Sequence, residues 1–199
     1  MSHPVVARLR DPDPAVRREA CREAARDPSA VLLVPALAEA LADRDPRVCL
    51  AASESLAMLA PQHPDAEAAL AGALHSDDDR ARFGAAHGRA RLGPPEPALL
   101  PALVGAFADP EPGIRWAAAR IFVELGRFHG EAVPVAIGLA RTDPNPEIRR
   151  MAVFCLAKLA PGEAAATLQD AMQDPSAAVR QAAVLGLESP DQKTNASRE

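Results

Sequence analysis

The sequence has no long apolar run, and this absence predicts a protein without a membrane span. Apolar residues make up 48% of the 199 residues, but Asp, Arg, Gly and Pro interrupt them after short stretches. Met1 is followed by Ser-His-Pro and soon by a charged segment, which is not the apolar stretch of a secretory signal. We therefore expect a cytoplasmic protein that makes no membrane contact.

Cysteine is scarce, and its spacing excludes a disulfide framework. Cys21, Cys49 and Cys155 are far apart, odd in number and without C-x-x-C spacing. We expect them to be buried as small apolar side chains. The sequence predicts no metal and no cofactor.

Positive charge is also in deficit. Lys and Arg number 22 against 27 Asp and Glu, which gives a formal net charge of -5. A chain with this balance lacks the general attraction for phosphate that supports nucleic-acid binding, so only a local basic patch could provide it. Nucleic acid is not an expected partner.

Catalytic motifs are missing from the sequence. It contains no G-x-S-x-G, no phosphate-binding glycine loop, no H-x-x-x-H and no plausible Cys/His pair. We therefore predict no catalytic residue.

What is present is one short phrase that returns along the whole chain. It reads Asp-Pro-Ala-Val-Arg in its first copy, and each copy carries a Val, Ile or Ala that serves as a mark. The marks are Val16, Val48, Ala81, Ile114, Ile148 and Val179. Their steps of 32, 33, 33, 34 and 31 residues predict six structural repeats.

Each repeat is predicted to be a pair of helices. An Ala stands four residues after every mark, and a Leu follows at eleven in the four middle repeats, so these offsets share one side of a helix. Asp or Asn before the mark is a candidate N-cap, with Pro in the first turn. A second helical run precedes each phrase, and Pro and Gly separate the pairs. The predicted repeats cover roughly residues 4–28, 29–63, 64–95, 96–129, 130–161 and 162–188, as one solenoid over 1–188 with a disordered tail at 189–199.

These units resemble HEAT repeats, particularly the short bacterial kind of phycobilisome lyase proteins. In that family the first helix often carries a Pro, the turn an Asp and the second helix an Arg, as Pro101, Asp109 and Arg115 do here. In the second repeat Cys49 takes the Arg place, and Ser76 replaces the Asp ahead of Arg82. The resemblance implies an all-α, right-handed solenoid. It also implies a structural ladder of acid and base side chains between neighbouring repeats: Asp11, Arg17, Asp43, Arg82, Asp109, Arg115, Asp143, Arg149, Asp174 and Arg180.

In such solenoids the second helix of each pair is expected to line a concave groove. Positions two, three and six residues after the marks are expected to form this groove, whose middle is apolar and aromatic and includes the only Trp. The predicted partner-binding residues are Leu50, Phe83, His87, Trp116, Arg120, Arg150 and Met151. Trp116 faces either the groove or the core, whereas Phe154 and Leu185 are expected in the core.

The third repeat departs from the pattern, because Gly84 and Gly88 lie inside its second helix. Each interior Gly costs about 1 kcal/mol relative to Ala. Three explanations stay open: a flexible joint, close approach of a partner to the backbone, or drift in a redundant repeat.

The sequence thus predicts a protein-binding scaffold or adaptor that holds a partner peptide or helix. One alternative is a HEAT-like alkylpurine DNA glycosylase, which Trp116, Arg120 and Arg150 partly suggest and the acidic balance opposes. A bilin lyase-type subunit is a third possibility, supported by the repeat type. The partner's identity and the oligomeric state are open.

Overall fold

The computed structural model describes residues 3–159, 162 and 164–188, which fold into helices joined by short turns. These residues form twelve α-helices and two 3₁₀ turns, at Ala30–Leu33 and Pro97–Leu99, and contain no strand. The α-helices are α1 (Pro4–Leu9), α2 (Pro14–Ala24), α3 (Val34–Ala40), α4 (Pro46–Leu59), α5 (Pro64–Ala73), α6 (Asp79–Arg89), α7 (Leu100–Ala106), α8 (Pro112–Phe128), α9 (Ala132–Thr142), α10 (Pro146–Leu159), α11 (Ala165–Ala171) and α12 (Ala177–Glu188). The predicted all-α class is confirmed. The predicted tail, 189–199, lies outside the described residues.

The repeated phrase opens the second helix of a pair by capping it. The Ala15 N–H donates to Asp13 Oδ1 at 2.8 Å, and the Arg47 N–H donates to Asp45 Oδ1 at 2.8 Å. Pro14 begins α2, where the missing N–H of proline leaves no helical hydrogen bond unmade. An acid followed by Pro therefore fixes where α2 begins.

The helices form two compact units. Unit 1 comprises Met1–Pro95 and Pro101–Ala106, and unit 2 comprises Glu96–Leu100 and Phe107–Glu199. In unit 1, α2 packs on α4 and α4 on α6, while α1, α3 and α5 form a second row. The core between the two rows is made of fully buried leucines: Leu33, Leu37, Leu41, Leu56 and Leu70.

Unit 2 repeats this arrangement. Helix α10 packs between α8 and α12, and α9 contacts α11 in the other row. Phe107 and Phe122 are fully buried with ring centroids 5.5 Å apart, in the tilted geometry that aromatic pairs favour. The row of α8, α10 and α12 carries the surface described in the next subsection.

Gly84 and Gly88 are explained by close packing of α6 inside unit 1. A Cβ on Gly84 would lie 3.0 Å from both Cys49 Sγ and Leu41 Cδ2. A Cβ on Gly88 would lie 2.7 Å from Leu70 Cδ2 and 3.2 Å from the Ser53 carbonyl oxygen. The glycines allow α6 to approach its neighbours closely, which none of the three sequence-based explanations anticipated.

The three cysteines are buried, as predicted. Burial raises the pKa of the Cys21 thiol to about 12, and it also raises the pKa of Cys155. Both side chains are therefore protonated at neutral pH and act as small apolar groups. Over the described part of the chain, no helix combines the length and apolar character needed to cross a membrane.

Candidate functional site

Helices α8, α10 and α12 of unit 2 form an open groove with a volume of about 520 Å³. We call it the tryptophan groove. Its side chains come from one helix row, so the repeat itself brings them together. They are Arg115, Trp116, Glu147, Arg150, Phe154, Ala157, Lys158, Ala178, Gln181, Ala182 and Leu185, with Gly186 at the end.

Trp116 is held in the groove by aromatic contact while much of its ring stays open to solvent. Its side chain is 42% exposed. Phe154 meets it edge to face, with centroids 4.8 Å apart and planes at 84°. Such pairs add about 0.5–1.5 kcal/mol beyond area burial, so Phe154 restricts the orientation of the indole.

Charged groups surround the indole. Arg150 Cζ lies 5.5 Å from the Trp116 ring centroid, within the range of a cation–π contact. Arg150 Nη2 donates to Glu147 Oε2 at 2.9 Å, and Arg115 Nε lies 3.2 Å from the same oxygen in an ion pair. The hydrogen bond from Arg150 lowers the pKa of Glu147, which is therefore ionised at neutral pH.

A second groove of about 510 Å³ adjoins the tryptophan groove, because Phe154 and Lys158 line both. We call it the basic groove. Its other side chains are Arg120, Ile121, Val123, Glu124, Arg127 and Phe128. Arg120, Arg127 and Lys158 are exposed, and none of the three has an ion-pair or hydrogen-bond partner among the described residues.

Several predicted groove residues are placed elsewhere by the structure. Phe83 and Met151 are fully buried, and His87 is 9% exposed with Nδ1 2.9 Å from Ser53 Oγ. Their side chains point between packed helices, so the expectation that they reach a partner is corrected. Leu50 is half-buried.

Trp116 and Arg150 do meet in the tryptophan groove, and Arg120 lines the adjoining one. The expected core position of Leu185 is wrong, because that side chain is 60% exposed. Phe154 is half-buried rather than buried. Phe154 and Leu185 lie six residues after their marks, as Arg120 does, and this shared offset could have indicated that they line a groove. No sequence pattern indicated that Lys158 would line it.

The predicted ladder residues make two kinds of contact. Arg17 donates from Nε and Nη2 to the Asp43 carboxylate at 2.6 and 2.8 Å, and from Nη1 to the carbonyls of Asp11 and Pro12 at 2.8 and 3.0 Å. The forked guanidinium thus joins its own turn to the turn of the following repeat. The Asp43 bond raises the pKa of Arg17.

Arg149 repeats this geometry near the other end of the chain. It donates from Nε and Nη2 to Asp174 at 2.8 and 3.0 Å, and from Nη1 to the Asp143 carbonyl at 2.8 Å. The hydrogen bond from Arg149 lowers the pKa of Asp174. Among the described residues, Arg180 donates only to carbonyls of its own turn, at Asp174 and Pro175.

In the middle repeats the arginines bind the carbonyl of their own turn but pair with a different acid. Arg115 donates to the Asp109 carbonyl at 2.7 Å but forms its ion pair with Glu147 rather than Asp143. Arg82 donates to the Ser76 carbonyl at 2.6 Å and contacts Asp79.

The described residues contain no group of three or more His, Cys, Asp or Glu side chains placed to hold a metal ion.

A family model described as HEAT repeats matches residues 3–88 and 133–197, which is most of the chain. The chain belongs to the HEAT-repeat family. The resemblance seen in the sequence is confirmed. A search among curated proteins found no match to this HEAT-repeat chain.

Several solved structures match this chain at low sequence identity. Importin beta is 16% identical with a TM-score of 0.56, and the match covers 98% of this chain and 30% of that one. The complex of CpcE and CpcF of phycocyanin lyase from Nostoc sp. PCC7120 matches with 18% identity and a TM-score of 0.44, over 94% of this chain and 76% of that one. A designed armadillo repeat protein in complex with a (KR)4 peptide matches with 17% identity and a TM-score of 0.43, over 92% and 97%. The importin beta match supports the α-solenoid fold and nothing further.

Proposed function

We propose that this HEAT-repeat protein is a binding scaffold that holds a segment of a partner protein in the tryptophan groove. The observation that carries the proposal is the half-open indole of Trp116. Exposed Trp and Arg side chains are common energetic anchors of protein interfaces, and contiguous exposed apolar surface often marks such sites.

The anchor is preorganised. Phe154 restricts the Trp116 ring from one edge, and Arg150 lies over it while bonded to Glu147. A partner that covers the indole therefore does not have to order these side chains, which reduces the entropic cost of binding. Leu185 extends the apolar surface at the α12 side.

Glu147 bears on the DNA glycosylase alternative. Such an enzyme needs a groove carboxylate that is available for catalysis, whereas Glu147 is engaged by Arg115 and Arg150. This pairing favours a structural role for the carboxylate. The bilin lyase alternative rests on the repeat type alone.

Affinity capture from a lysate of the source organism tests the proposal with three baits: wild type, Trp116→Ala and Leu32→Ala. Leu32 is the matched control, because it is a 70% exposed apolar side chain in unit 1. Truncating a Trp anchor costs about 2 kcal/mol, roughly thirtyfold in affinity. We expect a protein that wild type and Leu32→Ala retain and Trp116→Ala loses.

Melting curves of the three baits must agree within a few degrees, so that loss of capture reports the surface and not the fold. Equal recovery of the same partners by all three baits contradicts the proposal. Recovery of nucleic acid in place of protein favours the glycosylase alternative.

A further inference from the structure

The two adjoining grooves carry positive charge that the protein does not neutralise. Arg120, Arg127 and Lys158 are exposed without a partner in the described structure, and Glu124 is the one acid that lines the basic groove with them. The whole chain has a net charge of -5, so this cluster runs against the balance of the molecule. Uncompensated charge beside an apolar groove is complementary to an acidic ligand.

Two exposed arginines of unit 1, Arg10 and Arg22, contrast with this cluster. Arg10 pairs with Glu39 at 2.9 Å, and Arg22 lies 3.6 Å from Glu19. Arg22 occupies the same offset in its repeat as Arg120 does, six residues after the mark. The same repeat position therefore carries a neutralised charge in unit 1 and an open one in unit 2.

The lining side chains favour a helical ligand over an extended one. An extended peptide exposes N–H groups that need acceptors when they are buried. Glu147 and Gln181 are the side-chain acceptors of the tryptophan groove, and Glu147 already binds Arg150. A helix satisfies its backbone internally and presents only side chains, so it suits a groove with few acceptors.

The span of the groove sets the length of that helix. The groove crosses three packed helices, and neighbouring helix axes lie about 8–10 Å apart, which gives a span of about 16–20 Å. At 1.5 Å per residue, this span corresponds to about 11–13 helical residues. Three turns of an amphipathic helix can therefore cover Trp116, Phe154 and Leu185.

We propose that the segment held by the tryptophan groove is an amphipathic helix whose apolar face is bordered by Asp or Glu. Its apolar residues cover Trp116, Phe154 and Leu185, and its acidic residues face Arg120, Arg127 and Lys158. This inference rests on the proposed function and adds the chemical class of the partner.

Two synthetic helical peptides of about fifteen residues serve as probes. Both carry the same Leu and Phe residues on one face and no Trp, and they differ only in bordering residues, Glu in one and Lys in the other. Binding is measured by fluorescence anisotropy of the labelled peptide and by the emission of Trp116, the only Trp of the protein. We expect the Glu peptide to bind at least about tenfold more tightly, with a preference that shrinks at high salt.

A protein variant with reversed groove charges should reverse the preference between the two peptides. For the double variant Arg120→Glu, Lys158→Glu, the affinity of the Glu peptide should fall about tenfold or more, and the affinity of the Lys peptide should rise. Arg22→Glu is the matched control and should leave both affinities unchanged. Melting curves establish that the variants fold, and rescue of binding by the Lys peptide shows directly that the groove is intact.

Each other outcome overturns the acidic-helix proposal. Equal affinity for both peptides, unchanged in the double variant, shows a groove without charge preference. Binding of neither peptide, together with concentration-dependent dimers that Trp116→Ala abolishes in sedimentation, shows that a second copy covers the surface. If lysate capture yields a partner that depends on Trp116 but binds through a basic or extended segment, the proposed function stands and only this inference fails.

Discussion

At the scale of single residues, Arg17 and Arg149 each combine two tasks that a shorter side chain, or one with a single donor group, cannot combine. Nη1 of Arg149 binds the carbonyls of its own turn, while Nε and Nη2 bind the carboxylate of Asp174 in the next repeat. Carbonyls that follow a helix end have no partner within the helix. The planar fork supplies both sets of donors at once, and Lys could not reproduce it.

We predict that Arg149→Ala lowers the free energy of unfolding by about 1–3 kcal/mol, because it leaves partly buried acceptors without donors. Arg180→Ala is the matched control. Arg180 binds its own turn in the same way but is exposed and has no carboxylate of a later repeat among the described residues, so its loss should cost less than about 1 kcal/mol. Urea denaturation measures both. Equal losses would mean that the contact between repeats contributes nothing.

The same variant should show a defined pH dependence. The folded pKa of Asp174 lies below its ordinary value because Arg149 binds the carboxylate. The ion pair therefore stabilises the fold fully above the unfolded pKa of about 3.9, and its contribution is lost as the pH falls below that value. The stability difference between wild type and Arg149→Ala should narrow in acid.

The spacing of Asp and Arg indicated the contacts that Arg17 and Arg149 make with the next repeat, but not the burial of individual groove residues. It did not indicate that Arg115 would pair with Glu147 instead of Asp143. Phe83 and Trp116 share one repeat offset, yet Phe83 is fully buried and Trp116 is 42% exposed. A small rotation or a closer approach of the helix decides between these outcomes, and the spacing does not encode it.

At the scale of helices, the starts of α2 and α4 follow from their caps, whereas the first helices of two pairs begin later than their apolar runs. The apolar run Val31-Leu32-Leu33-Val34-Pro35-Ala36-Leu37 begins within a 3₁₀ turn, and α3 itself begins at Val34, next to Pro35. Likewise, Pro97–Leu99 is a 3₁₀ turn before α7, which has Pro101 as its second residue. Proline is accommodated in the first turn of an α-helix, so it shifts the helix start toward itself.

Helix α6 shows how glycine sets the spacing between helices. We predict that Gly88→Ala destabilises the protein by about 1–3 kcal/mol, because the new methyl group would overlap fully buried Leu70, and this exceeds the gain in helix propensity. Gly138→Ala in α9 is the matched control. Apart from the adjacent residues and the backbone of α9 itself, no atom of the described residues lies within 4 Å of a Cβ at that exposed position, so we expect a gain of about 0.5–1 kcal/mol.

Thermal and urea unfolding of the two glycine variants check this prediction. Both substitutions add the same methyl group inside a helix. If Gly88→Ala lowers the free energy of unfolding and Gly138→Ala raises it, the difference comes from the packing around Gly88. A stabilised Gly88→Ala protein would show that α6 is free to move away from Leu70, and it would restore the explanation of drift in a redundant repeat.

At the scale of the whole molecule, the distribution of charge matters more than its sum. The chain is acidic overall, but Arg120, Arg127 and Lys158 form an open basic cluster beside the tryptophan groove. Such a cluster can attract either an acidic protein segment or a nucleic-acid backbone. The two ligands differ in how many charges they require, and salt dependence separates them.

We predict that the protein binds duplex DNA only weakly, with a Kd of roughly 10 μM or weaker at physiological salt, because its net negative charge repels the DNA phosphates. Arg120, Arg127, Arg150 and Lys158 could neutralise about four phosphates, which limits the slope of log K against log salt to about -4. Fluorescence anisotropy with labelled duplexes over a salt series measures both quantities, and the Arg120→Glu, Lys158→Glu variant should abolish even this weak binding. A complex of nanomolar affinity with a steeper slope, or release of an alkylated base from the duplex, would instead establish DNA as the ligand and remove the scaffold proposal.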